Sequence, residues 1–199
     1  MPLPRRDREL VQTVDAAFAD AARRSGEWLV CRPGCTQCCI GAFAINALDA
    51  QRLRHGMEIL ETLDPQRANR VRERAHNYLR RVGRDFPGNT ETGILDQSEA
   101  GHAAFEEFAN DEPCPALDLS TGLCEVYEFR PMTCRVFGPP LRSEGGIGHC
   151  ELCYHGASEG QIAACELLPD PAGLESELLR QLPQAEMDEQ TIVAFCLTS

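Results

Sequence analysis

The chain contains no lysine: all nineteen of its basic residues are arginine. Schiff-base chemistry and the phosphate-binding lysine of a P-loop are therefore excluded. It also has no apolar run approaching the roughly 18 to 20 residues of a membrane-spanning helix. The segment Met1–Glu9 carries basic residues but neither an apolar stretch nor a small-residue cleavage site, so no secretory leader is expected. Internal repeats and low-complexity tracts are absent. So is a glycine-rich strand-to-helix turn for a nucleotide; Gly145-Gly146-Ile147-Gly148 follows no apolar strand and reads as a flexible loop. Together these absences point to a cytoplasmic protein with no membrane segment.

At 199 residues, 43% apolar and 25% charged, the chain is long enough to bury a core without covalent staples. One domain is expected, over residues 1–199. Charge is unevenly spread. Residues 1–84 hold fifteen arginines against ten acids, whereas residues 85–199 hold four against twenty-one. Basic helices packed beside an acidic remainder account for this, and a net charge of −12 argues against nucleic acid as a partner.

Hydrophobic periodicity predicts a mostly α-helical α+β fold with a small β-hairpin and a cysteine-rich, metal-binding loop region. An amphipathic helix is expected over 7–24, ended by Ser25-Gly26, and a second over about 48–63. Asp64-Pro65 has the form of an N-cap with proline at the first helical position, opening a third helix that stops at Gly83. Residues 85–95 read as loop and 98–109 as a fourth helix. Residues 117–127 alternate around Ser120-Thr121-Gly122, a hairpin signal. Residues 138–158 read mostly as loop. Helices are expected over 160–168, 174–182 and 187–195. The cysteine-cluster core then spans about 28–158, between the N-terminal helix and C-terminal helices over 172–197.

Eleven cysteines are present, and size does not explain them. An odd count in a reducing compartment favours metal over disulfides. Cys31, Cys35, Cys38 and Cys39 fall in one short run broken by Pro33-Gly34. Cys114, Cys124 and Cys134 recur at ten-residue steps, and Cys150 and Cys153 form a C-x2-C pair flanked by His149 and His155. Such spacing gathers soft ligands around a metal ion or an iron–sulfur cluster. Nine thiols exceed the needs of one four-coordinate ion. Neighbouring side chains in an extended segment point to opposite sides, so Cys38 and Cys39 would serve two sites, or one site plus a core thiol. The surest ligands are Cys31, Cys35, Cys38 and Cys134, followed by Cys39, Cys114 and Cys124, with Cys150 and Cys153 third. Arg32, Arg130 and Arg135 are placed to offset thiolate charge. Cys165 and Cys196 sit in apolar helical patterns and read as core thiols. His55, His76 and His102 have no cysteine neighbour.

The run Cys31-x3-Cys35-x2-Cys38-Cys39, followed by Cys114-Pro115-Ala116-Leu117-Asp118 and by the stretch from Gly122-Leu123-Cys124 through Arg130-Pro131 to Cys134-Arg135-Val136-Phe137, resembles the bacterial YkgJ-like cysteine-cluster family. That resemblance covers about residues 28–140. It implies a zinc- or iron-chelating domain whose chelating set is Cys31, Cys35, Cys38, Cys39, Cys114, Cys124 and Cys134. Some relatives are described as flagellin lysine methylases, which adds an iron–sulfur-dependent enzyme or electron carrier as an alternative. The C-x3-C-x2-C spacing of Cys31, Cys35 and Cys38 is also that of radical S-adenosylmethionine enzymes. Gln37, however, stands where those enzymes carry an aromatic, and the chain is short for their barrel. The expected cofactor is zinc, ahead of an iron–sulfur cluster, and the reading requires residues 31–39 to meet residues 114–134 in space.

Overall fold

A computed structural model describes residues 3–143, 145–184 and 186–198. Helix α1, Asp7–Ser25, ends at Gly26, whose φ of +51° favours glycine. After the first cysteine run come strand β1, Ala44–Asn46, and helix α2, Ala47–Leu63. The Asn46 side chain caps α2 by accepting from the Asp49 amide. Helix α3, Pro65–Val82, opens as the sequence predicts, with Asp64 accepting from the Arg67 amide. Residues read as loop over 85–95 instead form a minimal hairpin of β2, Gly88–Asn89, and β3, Ile94–Leu95. Helix α4, Glu99–Glu106, is shorter than predicted, because the chain turns at Ala109, where φ is +52°.

The second half is built from short pieces. The predicted hairpin is β4, Leu117–Asp118, paired with β5, Leu123–Cys124. A short helix that the sequence did not announce, α5 (Met132–Val136), carries Cys134. Strands β6, Leu141–Ser143, and β7, Gly146–Gly148, pair where a flexible loop was expected. Helices α6, Glu159–Ala164, and α7, Leu174–Leu179, are shorter than their apolar spacing suggests. The helix expected over 187–195 is replaced by strand β8, Gln190–Ile192, and the one-turn helix α8, Val193–Cys196. Strand β8 pairs antiparallel with β1, Ile45 opposite Thr191. A strand this short gets its backbone partners from a distant segment, so local periodicity does not reveal it.

Helices α2 and α3 pack against each other and α8 through Leu53, Met57, Val71, Ala75 and Leu197, with Cys114 and Cys124 against this core. Truncating Leu53, which is fully buried, to alanine would cost about 2–5 kcal/mol. A buried charge network joins α1, α2 and α5. Arg52 donates to Asp7 through Nε (2.9 Å) and Nη2 (2.6 Å) and to Asp49 through Nη1, while Asp49 also accepts from the Met132 amide at 3.0 Å. Arg135 donates to both oxygens of Asp15 at 2.9 Å and to the carbonyls of Arg130 and Glu128. These contacts fix the helix that carries Cys134 against α1.

Candidate metal centre

The first cysteine run folds as two tight turns. The Cys35 amide donates to the Arg32 carbonyl at 2.9 Å across Pro33-Gly34, where Gly34 has φ +87°. Residues Gln37–Cys39 form a single helical turn, closed by the Cys39 amide on the Thr36 carbonyl at 2.8 Å. The expectation that Cys38 and Cys39 face opposite ways assumed an extended chain. In a helical turn, adjacent side chains diverge less, and each of these two thiols is the leading influence on the other's proton affinity.

The second block meets the first directly. The Cys114 amide donates to the Cys39 carbonyl at 2.7 Å, the Gly41 amide to the Glu112 carbonyl at 2.9 Å, and Ile40 bridges Pro113. Asp118 folds the hairpin tip by accepting from the Ser120 amide and hydroxyl. That tip lies on the Pro33-Gly34 turn: a Cβ on Gly122 would sit 3.1 Å from the Gly34 Cα.

The third block closes over the other end of the run. The Cys150 amide donates to the Gly138 carbonyl (3.1 Å), the Tyr154 amide to the Trp28 carbonyl (2.9 Å), and the Gln37 side chain to Glu151 (2.7 Å). Gly138 has φ +123°, and a Cβ there would stand 2.9 Å from the Cys31 sulfur. Neither this glycine nor the Gln37–Glu151 link has any signature in the sequence.

All nine candidate cysteines thus gather in one region, and every one but Cys153 lines a single cavity of about 600 Å³. A larger groove, about 1110 Å³ beside α2, contains no cysteine. The nearest charged neighbours divide the thiols in two. Cys31 has Cys153, Cys150 and Cys35 around it; burial first, and then these neighbours, push its thiol up to about 12. Cys150 is raised by burial, with Cys153 and Cys35 adding to it. In the other group, burial and then Cys124 push Cys114 up to about 12. Cys134 is raised by burial and by Cys114, Cys124 and Cys38. Cys38 goes the other way, down to about 6, chiefly through the hydrogen bond from Cys39, which is raised in turn. Apart from Cys38, these thiols hold their protons because burial disfavours the thiolate and each new thiolate would face the next. A metal cation reverses that balance, since coordination deprotonates a thiol.

The surroundings fit a metal–thiolate centre. Arg130 stacks on Tyr127, 3.7 Å from the ring centre, and its charge helps to lower Cys38 and opposes the rise that burial imposes on Cys124. Among the described residues its Nε and Nη1 are buried with no hydrogen-bond partner, and its contact with Asp15 is long, at 3.8 Å. Arg135 is fully used in holding α5, and Arg32 is exposed. Among the described residues, no three Cys, His, Asp or Glu side chains converge on one point. Eight of the thiols share the wall of one cavity, and a cysteine swings its sulfur by rotation about one bond. Cys165 and Cys196 are buried core thiols, as expected. The His149 ring nitrogen lies against the Cys150 carbonyl at 3.0 Å.

A family model described as CxxCxxCC, a putative zinc- or iron-chelating domain, matches residues 30–154, well over half of the chain. No curated protein and no solved structure matches.

Proposed function

The chain belongs to the CxxCxxCC family of putative zinc- or iron-chelating domains, and on that premise we propose that it binds metal through the thiolates of Cys31, Cys35, Cys38, Cys39, Cys114, Cys124, Cys134, Cys150 and Cys153. One observation carries the proposal. Three stretches far apart in sequence bring eight of these thiols to the wall of one cavity, and no disulfide joins any of them.

Zinc is the favoured metal. An all-sulfur donor set on loops stiffened by proline and glycine suits a closed tetrahedral site, and such a site contributes folding free energy outright. The fold supports this role, since short hairpins and one-turn helices surround the cysteines with little core of their own. The second reading is an iron–sulfur centre. It is favoured by Arg130, whose unpartnered N–H groups beside Cys38 and Cys124 suit hydrogen bonding to sulfur.

The test is anaerobic purification followed by metal analysis and an absorption spectrum of the same sample. Stoichiometric zinc in a colourless protein supports the first reading. A brown protein with acid-labile sulfide supports the second, and a folded, metal-free protein refutes both.

A further inference from the structure

We infer that the nine thiols form two separate metal centres: one of Cys31, Cys35, Cys150 and Cys153, the other of Cys38, Cys39, Cys114, Cys124 and Cys134, with Arg130 serving the second alone. This rests on the metal-binding reading above and goes further, by assigning each thiol to a centre.

The backbone draws the dividing line. Cys35 follows the Pro33-Gly34 turn and Cys38 lies in the separate helical turn Gln37–Cys39, and different segments pack against the two turns. On the Cys31 side, Gly138 both accepts from the Cys150 amide and lies under the Cys31 sulfur. On the other, Cys39 accepts from the Cys114 amide, and the β4–β5 register sets Cys124 opposite Leu117, whose amide returns to the Cys114 carbonyl. The strongest thiol neighbours of Cys31 and Cys150 are in the first group, and those of Cys39, Cys114 and Cys134 in the second.

The two centres differ in kind. Four thiols with the pattern C-x3-C and C-x2-C make a closed tetrahedral set for a borderline-soft divalent ion such as zinc, leaving no position for substrate. The five-thiol group exceeds what one such ion uses and concentrates more negative charge in a buried place. A buried charge needs a partner, and Arg130 supplies one. Its Nε and Nη1 are buried without acceptors among the described residues, and thiolate sulfurs would complete them. Arg130 is thus a positioning residue, acting on the centre through the sulfurs.

The experiment uses the intact wild-type chain, loaded with zinc and titrated with a chelator such as EDTA. Brief iodoacetamide labelling at each step, read by peptide mass mapping, shows which cysteines lose protection together. The expected result is two sets released at different chelator concentrations, Cys31 and Cys35 with Cys150 and Cys153, and Cys38 and Cys39 with Cys114, Cys124 and Cys134. Arg130→Gln should shift only the second release, by about 10- to 100-fold, the usual effect of losing an outer partner of a metal ligand. Arg130→Lys should recover part of the shift, since it keeps the charge but not the guanidinium donors. Simultaneous release of all nine, release of Cys31 and Cys35 with Cys38 and Cys134, or an Arg130→Gln effect on the first set would each overturn the inference. A wild type that takes up no zinc and labels fully before any chelator removes the metal-binding premise itself.

Discussion

Gly138→Ala is the perturbation for which the structure gives the clearest magnitude. Gly138 sits at φ +123°, and an added Cβ would stand 2.9 Å from the Cys31 sulfur. A side chain forced into positive φ costs about 1–2 kcal/mol, and relieving the close contact raises the total to about 2 kcal/mol. For a chain of this size, about 2–4 °C is lost per kcal/mol, so the melting temperature should fall by roughly 4–8 °C. The larger effect is on metal. Thiolate–metal bonds tolerate only about 0.2 Å of error, and a sulfur displaced to clear the methyl group leaves that range. The assay is calorimetry on metal-loaded and chelated protein, with metal counted on the same samples. Gly83→Ala is the control, because its φ is −63° and nothing lies within 4 Å of the added atom; it should be neutral or slightly stabilising. If Gly138→Ala melts with the wild type and retains all its metal, the placement of Cys31 against Gly138 is wrong.

Other substitutions test the frame around the cysteines. A Cβ on Gly56 would meet the Phe129 ring at 2.4 Å, so Gly56→Ala should push the 127–134 segment off α2 and cost about 1–3 kcal/mol in chemical denaturation. Burial lifts the Asp49 carboxyl to about 6, with Arg52 opposing. A carboxyl raised in the folded state favours folding while it keeps its proton, so its contribution is full below pH 4 and lost as pH rises through 6. Asp49→Asn should therefore flatten the stability profile between pH 4 and 6, by up to about 3 kcal/mol; an unchanged slope would refute the shift. Cys196→Ser places a hydroxyl in the main core and should cost about 1–3 kcal/mol while leaving metal content unchanged, the opposite pattern to Cys35→Ser.

What could be read in advance follows from the range of the signals. Helices α1 to α3 were legible because their caps and apolar spacing are local: Asp64-Pro65 and Gly26 act within one turn. The clustered cysteines stood out because thiols so closely spaced are rare without a reason. The C-terminal strand was not. Thr191-Ile192-Val193-Ala194 suits strand or helix equally, and its partner, Ala44–Asn46, lies at the far end of the chain. The spatial neighbours of the thiols were hidden for a similar reason. Cys31, Cys35 and Cys38 look like one motif, yet Cys35 follows the Pro33-Gly34 turn and Cys38 sits in the separate helical turn Gln37–Cys39. Nothing near Cys150 and Cys153 announces that Gly138 and Gln37 bring them to Cys31.

Mass spectrometry of the intact chain under non-denaturing conditions addresses the claim on which the rest depends. A narrow, native charge-state distribution should carry the added mass of stoichiometric metal, and that mass should diminish in Cys35→Ser and in Cys134→Ser. A compact chain weighing no more than its polypeptide, after purification without oxygen or chelator, would contradict the account.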